Sequence, residues 1–261
     1  MYVKNLGMTA VKGTQFLDMS SVEVNHSGVV GDRSFMFLNS DNQPISPGWH
    51  RFFLPLIFQY EKINSMLSLT FPNSSTIVQP CQLSDEVEDI DFIGIRRVKV
   101  RKVLGEWSPI IRAFTGKNVS LVKIETNFTA IDILPITLFT SGSLQYLQEK
   151  IGKKIDHRIF RSNIIIDNDT PFIEDFWENK LIQIGTVRLK VRSSVPRCVI
   201  TQMNPVTGKN EINTVASLSK FREKVHLPDN IMPEYKTPGF ASYAEVVLPG
   251  EIYVGDKVFL I

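Results

Sequence analysis

Val187-Arg188-Leu189-Lys190-Val191-Arg192 alternates apolar and basic side chains without a break. A period of two puts the valines and the leucine on one face and the cations on the other, as in a half-buried β-strand. Val98-Lys99-Val100-Arg101 repeats the pattern. Asn163 to Asp167 contains three consecutive isoleucines, which suits a strand buried on both faces. Ile252 to Ile261 is strand-like on either side of a Gly255-Asp256 turn. Met1 to Lys12 also reads as a strand and lacks the apolar stretch of a signal peptide. Helical patterns are few and short. Ser108-Pro109 predicts a helix start, with Ile110, Ile111 and Phe114 inward and Gly116 as the stop. A second helix is expected from Ser143 to Ile151, with Leu144, Leu147 and Ile151 buried and Gly152 ending it. A third is expected from Thr214 to Val225, with Leu218, Phe221 and Val225 inward. Many strands and three short helices predict a mainly β, barrel-like fold. The acidic stretch Asp85 to Asp91 reads as a solvated loop without the spacing of a calcium site.

Composition narrows the function. The chain has 261 residues, 43% of them apolar and 21% charged, so it can bury a sizeable core. Lys and Arg number 29 against 27 Asp and Glu, which gives no footprint for nucleic acid or a membrane surface. No apolar run approaches a membrane span. The two cysteines, Cys81 and Cys198, exclude a self-contained iron–sulfur cluster and a disulfide scaffold. With four histidines they also exclude an all-protein zinc cage of grouped ligands. Five Asn-x-Ser/Thr sequons, Asn25 and Asn127 among them, carry no message without a secretory signal. A cytoplasmic location with reduced thiols is the expectation. Phosphate-loop, nucleophile-elbow and zinc-protease motifs are missing, as is a dinucleotide fingerprint.

Four segments carry candidate chemistry. Pro196-Arg197-Cys198-Val199-Ile200-Thr201 follows the basic strand and leads into Asn204-Pro205-Val206-Thr207-Gly208, a turn sequence. A guanidinium one residue from the thiol favours thiolate. On this segment alone, a buried structural cysteine beside a surface arginine is the commoner reading of Cys198. Asp156-His157-Arg158-Ile159-Phe160-Arg161-Ser162-Asn163 clusters cations just before the isoleucine strand, where arginine offers a fork for phosphate oxygens. Val11-Lys12-Gly13-Thr14 and Gly31-Asp32-Arg33-Ser34-Phe35 are the other two.

In this order the segments resemble the MOSC family, named for the C-terminal domain of molybdenum cofactor sulfurase. They are most similar in pattern to its bacterial reductases and to the mitochondrial amidoxime-reducing component. Val11-Lys12 is similar to the family's Pro-Val-Lys-Ser, and Gly31-Asp32-Arg33 with Phe35 to its Gly-Asp-Arg-x-Phe. Leu138 to Leu144 resembles its strand–Ser–helix segment, and Glu174-Asp175-x-Trp177 its Glu-Asp-x-Trp. Asp156 to Asn163 resembles Asp-x-Arg-x-Phe-Arg-x-Asn. Arg197-Cys198 with Thr201, Pro205, Thr207 and Gly208 resembles Arg-Cys followed by Asp-Pro-x-Thr-Gly. The match runs to Gly239-Phe240, Pro249-Gly250 and Val254-Gly255-Asp256.

The resemblance implies an N-terminal MOSC β-barrel domain over 1–118 and a MOSC domain over 124–261, with the seam near Lys117–Asn127. It implies a molybdenum cofactor with Cys198 as catalytic residue and metal ligand. It further implies Lys12, Arg33, Thr140, Ser141, Arg161, Asn163 and Arg197 as cofactor-binding residues, with Arg197 lowering the pKa of Cys198. No iron–sulfur cluster, flavin or pyridoxal phosphate is expected, and Cys81 is read as structural. The expected activity is reduction of small N-hydroxylated or N-oxygenated compounds. With no internal electron source, a separate ferredoxin-, flavodoxin- or cytochrome-like donor is required. A non-catalytic carrier of the cofactor or its activated sulfur is the alternative, and an interaction module without cofactor a third. The chain departs from the family pattern at Gly13 (usually serine), Ser162 (proline), Asn204 (aspartate) and Ala241 (glycine).

Overall fold

In a computed structural model, which describes residues 1–45, 47–92, 94–125, 130–225 and 237–261, strands dominate. They are β1 (Tyr2–Met8), β2 (Leu17–Met19), β3 (Ser21–Asn25), β4 (Gly28–Val29), β5 (Phe35–Leu38), β6 (Ile57–Glu61), β7 (Met66–Thr70), β8 (Thr76–Pro80) and β9 (Glu88–Phe92). The chain continues with β10 (Arg96–Lys102), β11 (Ser120–Ile124), β12 (Ile136–Thr140), β13 (Ile164–Asp167), β14 (Leu181–Ile184), β15 (Val187–Pro196), β16 (Gly239–Leu248), β17 (Gly250–Tyr253) and β18 (Val258–Leu260). The α-helices are α1 (His50–Phe53), α2 (Trp107–Thr115), α3 (Ser141–Ile151) and α4 (Thr214–Leu218).

An eight-stranded sheet in the order β18-β14-β15-β16-β12-β13-β1-β2 forms the base of the molecule. Val187, Leu189 and Val191 of β15 are fully buried, as their alternation requires. Ile164, Ile165 and Ile166 of β13 are all buried, one strand covered on both faces. A second sheet, β5-β11-β10-β9, a meander, β6-β7-β8, and a small sheet, β17-β3-β4, complete the strands. Strands of the N-terminal segment pair with strands of the C-terminal half. β1 pairs with β13, and β3 pairs with β17, so Val3, Leu6, Val22 and Val24 share one core with Leu138, Leu189 and Ile252. A second, aromatic core gathers Phe35, Phe37, Phe53, Phe58 and Trp107.

Several expectations are corrected. Among the described residues the large sheet is not a closed barrel: it runs from β18 to β2 with two edges. An isolated bridge, Tyr2 to Lys257, and three backbone bonds (Val3 N–H to the Asp256 carbonyl, Gly255 N–H to that of Val3 and Val258 N–H to that of Met1) link β1 to the start of β18 without a continuous ladder. β18 has three residues, too few to zip a seam. Helix α2 starts at Trp107, not Ser108, because the buried Trp107 indole anchors it, and Phe114 is 43% exposed. Helix α3 starts at Ser141, since the Thr140 hydroxyl caps the Ser143 N–H. Helix α4 stops at Leu218, although Leu218 and Val225 are buried as expected. Glu88 to Asp91 is not loop but part of β9, whose register on β10 sets Asp91 opposite Arg97 and Asp89 opposite Lys99, with Arg97–Asp89 and Lys102–Glu88 pairing on the diagonal. Opposite charges across strands hold an acidic stretch in the ladder. Asn127 and His226 lie outside the described residues.

Candidate functional site

Lys12 stands just past the end of β1, and Arg33 on the turn before β5. Arg161 and Asn163 follow a 3₁₀ turn, His157–Phe160, at the entry to β13. Asp156 caps that turn by accepting from the Arg158 N–H, and it pairs with the Arg158 guanidinium at 2.6 Å. Arg197 closes β15, and Cys198 precedes a second 3₁₀ turn, Val199–Gln202. Folding brings these six residues to the wall of one cavity of about 210 Å³.

Cys198 is exposed to the cavity, with its backbone carbonyl accepting from the Thr201 hydroxyl at 2.9 Å. Cys81 is buried in the aromatic core, as a structural thiol should be. Arg197 is fixed by two backbone carbonyls. Its Nε donates to the Phe240 carbonyl at 2.7 Å and its Nη1 to the Phe160 carbonyl at 2.9 Å, beside the stacked Phe160 and Phe240 rings. Desolvation pushes the Cys198 thiol above its ordinary value, and the attraction of Arg197 and Lys12 does not reverse this. Arg197 does lower the thiol, as expected, but desolvation is the larger effect and the net shift is upward.

The cations are held by backbone and by two aspartates. Lys12 Nζ donates to the Ala130 carbonyl at 3.0 Å and pairs with Asp132. Desolvation holds the Lys12 ammonium below its ordinary value, with Asp132 opposing and Arg33 and Arg161 adding repulsion. Desolvation also pushes the Asp132 carboxyl up, and Lys12 outweighs it to keep Asp132 low. Asp32, fully buried, accepts from the Thr9 N–H at 2.9 Å, from Asn163 Nδ2 at 3.0 Å and from Arg33. Arg33 Nη2 donates to the Arg161 carbonyl at 3.0 Å, and Arg161 Nη1 to the Thr14 carbonyl at 2.7 Å. Both arginines sit in the left-handed region, at φ 49° and 53°. Such strain in non-glycine residues persists where surrounding contacts over-determine it. Nη2 of Arg161 and Nη2 of Arg197 are buried with no partner. Desolvation, with repulsion from Arg33, lowers Arg161 to about 9, and desolvation lowers Arg197 to about 10. Four cations thus face two carboxylates, and two guanidinium nitrogens have no protein partner. The site is built for an anion.

Thr140 and Ser141 lie elsewhere. The Thr140 hydroxyl donates to the buried Glu174 at 2.9 Å, and Ser141 donates to Asp167 at 2.9 Å. Both tie α3 to neighbouring elements, and neither lines the cavity. The cavity also takes His50, Asp132, Thr137 and Tyr243, none of which the sequence singled out. Asp132 had one signal: it is a lone charge within Ala130-Ile131-Asp132-Ile133-Leu134-Pro135. His50 had none.

A family model described as the MOSC domain matches residues 126–259. The chain is 33% identical to mitochondrial amidoxime reducing component 2 of Homo sapiens, over 98% of this chain and 82% of that protein. It is 28% identical to the Rattus norvegicus protein of the same name, over 89% of this chain and 74% of that protein. It is 23% identical to molybdenum cofactor sulfurase of Caenorhabditis elegans, over 85% of this chain and 32% of that protein. No helix among the described residues is long and apolar enough to cross a membrane. With the family model over residues 126–259 and a 33% identical relative over 98% of this chain, the chain belongs to the MOSC domain family.

Proposed function

We propose that this chain holds the molybdenum cofactor in the cavity and reduces N-hydroxylated compounds with electrons from a separate donor. One observation carries the reading: a single exposed thiol, Cys198, shares a cavity with Lys12, Arg33, Arg161 and Arg197, and two of those guanidinium groups have buried, unpartnered N–H. A thiolate suits a sulfur-rich molybdenum centre, and the pterin phosphate needs charge-assisted donors. The residues present therefore fit the cofactor. The relatives' names, amidoxime reducing component and molybdenum cofactor sulfurase, support the same direction.

When bound, the cofactor supplies two-electron redox chemistry, and the protein supplies binding and orientation. Cys198 would hold the metal as its thiolate, the form in which cysteine acts as a ligand. Lys12, Arg33 and Arg161 hold the anionic part, with Asn163 and Asp32 fixing the Arg33 side of the wall. Arg197 holds the end of β15 against the Phe240 and Phe160 carbonyls and so aims Cys198. Ile45, Ile133 and Leu134 supply the apolar part of the lining, which limits water at the site. The division into 1–118 and 124–261 belongs to this reading.

The test is expression in a cofactor-competent host, metal analysis, and an amidoxime reduction assay with reduced viologen. Wild type carries molybdenum and turns over. Cys198→Ser loses turnover and retains little metal, with an unchanged circular dichroism spectrum. A serine variant with full metal and normal turnover sinks the assignment. Metal without turnover in the wild type points instead to a cofactor carrier.

A further inference from the structure

We propose that His50 is a further ligand-binding residue of the cavity, whose imidazole hydrogen-bonds an oxyanion group of the bound ligand above Gly13, beside Lys12 and Arg161. The inference rests on reading the cavity as an anion site, and it adds a residue that neither the fold nor the motifs assign.

His50 is 8% exposed, and neither Nδ1 nor Nε2 has a hydrogen-bond partner. Buried ring nitrogens are ordinarily paired, and an orphan costs stability. Two orphans on one ring that lines a cavity mark a group whose partner arrives with the ligand. The ring is not there by looseness of the chain. It opens α1, and the preceding turn, Pro47–Trp49, packs on the Val199–Gln202 turn that follows Cys198. Gly208, at φ 67°, lies so close to the Arg51 carbonyl that a Cβ there would come within 2.0 Å of its oxygen. His50 is thereby pinned to the Cys198 side of the cavity by a segment some 150 residues away in sequence.

Gly13 leaves room for the contact. It sits at φ 87°, and a Cβ on it would meet His50 Cδ2 at 3.0 Å and Nε2 at 3.3 Å. Any side chain at position 13 would crowd the Cδ2–Nε2 edge of the ring, and both residues line the cavity. The charge pattern sets the protonation state. Burial, with Lys12 and Arg161 adding repulsion and Asp132 opposing, lowers His50 to about 3. The ring is neutral through the physiological range and offers one N–H donor and one acceptor nitrogen. The cations attract an anion from a distance, and a neutral, rigid N–H gives its oxygen a direction. The ligand class is a phosphate-like oxyanion.

The experiment uses full-length protein made without molybdate and titrated with inorganic phosphate by calorimetry. His50→Phe weakens phosphate binding about tenfold, the scale of one hydrogen bond to a charged group. The melting temperature of ligand-free His50→Phe equals or exceeds wild type, because the orphaned nitrogens are gone. His50→Asn, which keeps an N–H donor, recovers part of the affinity. Equal phosphate affinity in wild type and His50→Phe overturns the proposal, as does a wild type that binds no phosphate. Should His50→Phe not fold, the ring nitrogen shifts of ¹⁵N-histidine-labelled wild type decide: they move on phosphate addition, and unmoved shifts overturn it. Molybdenum is absent throughout, so a failed reductase reading leaves this result standing, and the reverse.

Discussion

Cys198 and Arg197 are adjacent in sequence and do different work. The thiol faces the cavity, while the guanidinium turns inward to two carbonyls. Sequence adjacency suggested charge on the thiol. Desolvation outweighs that charge and leaves the thiol high, while the planar fork of Arg197 holds the Phe240 and Phe160 carbonyls. Lysine cannot reproduce that fork. Arg197→Lys is expected to lower stability by about 1.5–3 kcal/mol in urea titration, the range for hydrogen bonds to a charged group. An unchanged midpoint would mean that the two carbonyls find water instead. Lys12, Arg33, Arg161 and Asn163 were legible as motif residues. Asp32 was legible only as part of a motif, not as the buried acceptor that holds Arg33 and Asn163. Thr140 and Ser141 sit in a matching segment whose hydroxyls cap and brace α3.

Short elements position the site. The His157–Phe160 turn delivers Arg161 in a left-handed conformation, and Asp156 caps it. Asp156→Ala is expected to cost about 1 kcal/mol at pH 7, the scale of a lost cap. Desolvation pushes the Asp156 carboxyl up, and the Arg158 hydrogen bonds outweigh it to hold it below its ordinary value. A depressed carboxyl contributes stability above its unfolded pKa of about 3.9 and loses it as pH falls through the folded value. The difference between wild type and Asp156→Ala should therefore hold from pH 7 to about pH 5 and close below pH 4 in denaturant midpoints. A constant gap down to pH 2 would remove the charge from the account. Gly208 is the second lever. Gly208→Ala drives a Cβ into the Arg51 carbonyl at positive φ, so at least about 2 kcal/mol of stability is expected to go. The Val199–Gln202 turn and α1 should loosen together, seen as faster amide exchange in both. Exchange confined to residues near 208 would uncouple them. These contacts were illegible beforehand because each joins a motif to a segment with no motif.

At the scale of the molecule, the proposed reading has electrons come from a separate donor. Cys81 is locked in the aromatic core, Cys198 is the only other thiol, and the chain has no dinucleotide fingerprint. Loaded protein should turn over with reduced viologen and not with NADH or NADPH alone. Turnover on NADH alone would remove the need for a separate donor. The strand-rich class and the β10, β13 and β15 patterns were written in the chain, because period-two burial is a local property of a strand. So were five cavity residues with distinct chemistry and the thiol beside them. Closure was not: whether strands meet edge to edge depends on register and length at β18 and β1, 250 residues apart. Nor was the sharing of one core by β1, β3 and the C-terminal strands, since pairing partners at that distance leave no periodic trace. Folding alone placed His50 and Asp132 among the cations, because burial and proximity arise from packing between segments rather than from any pattern within one.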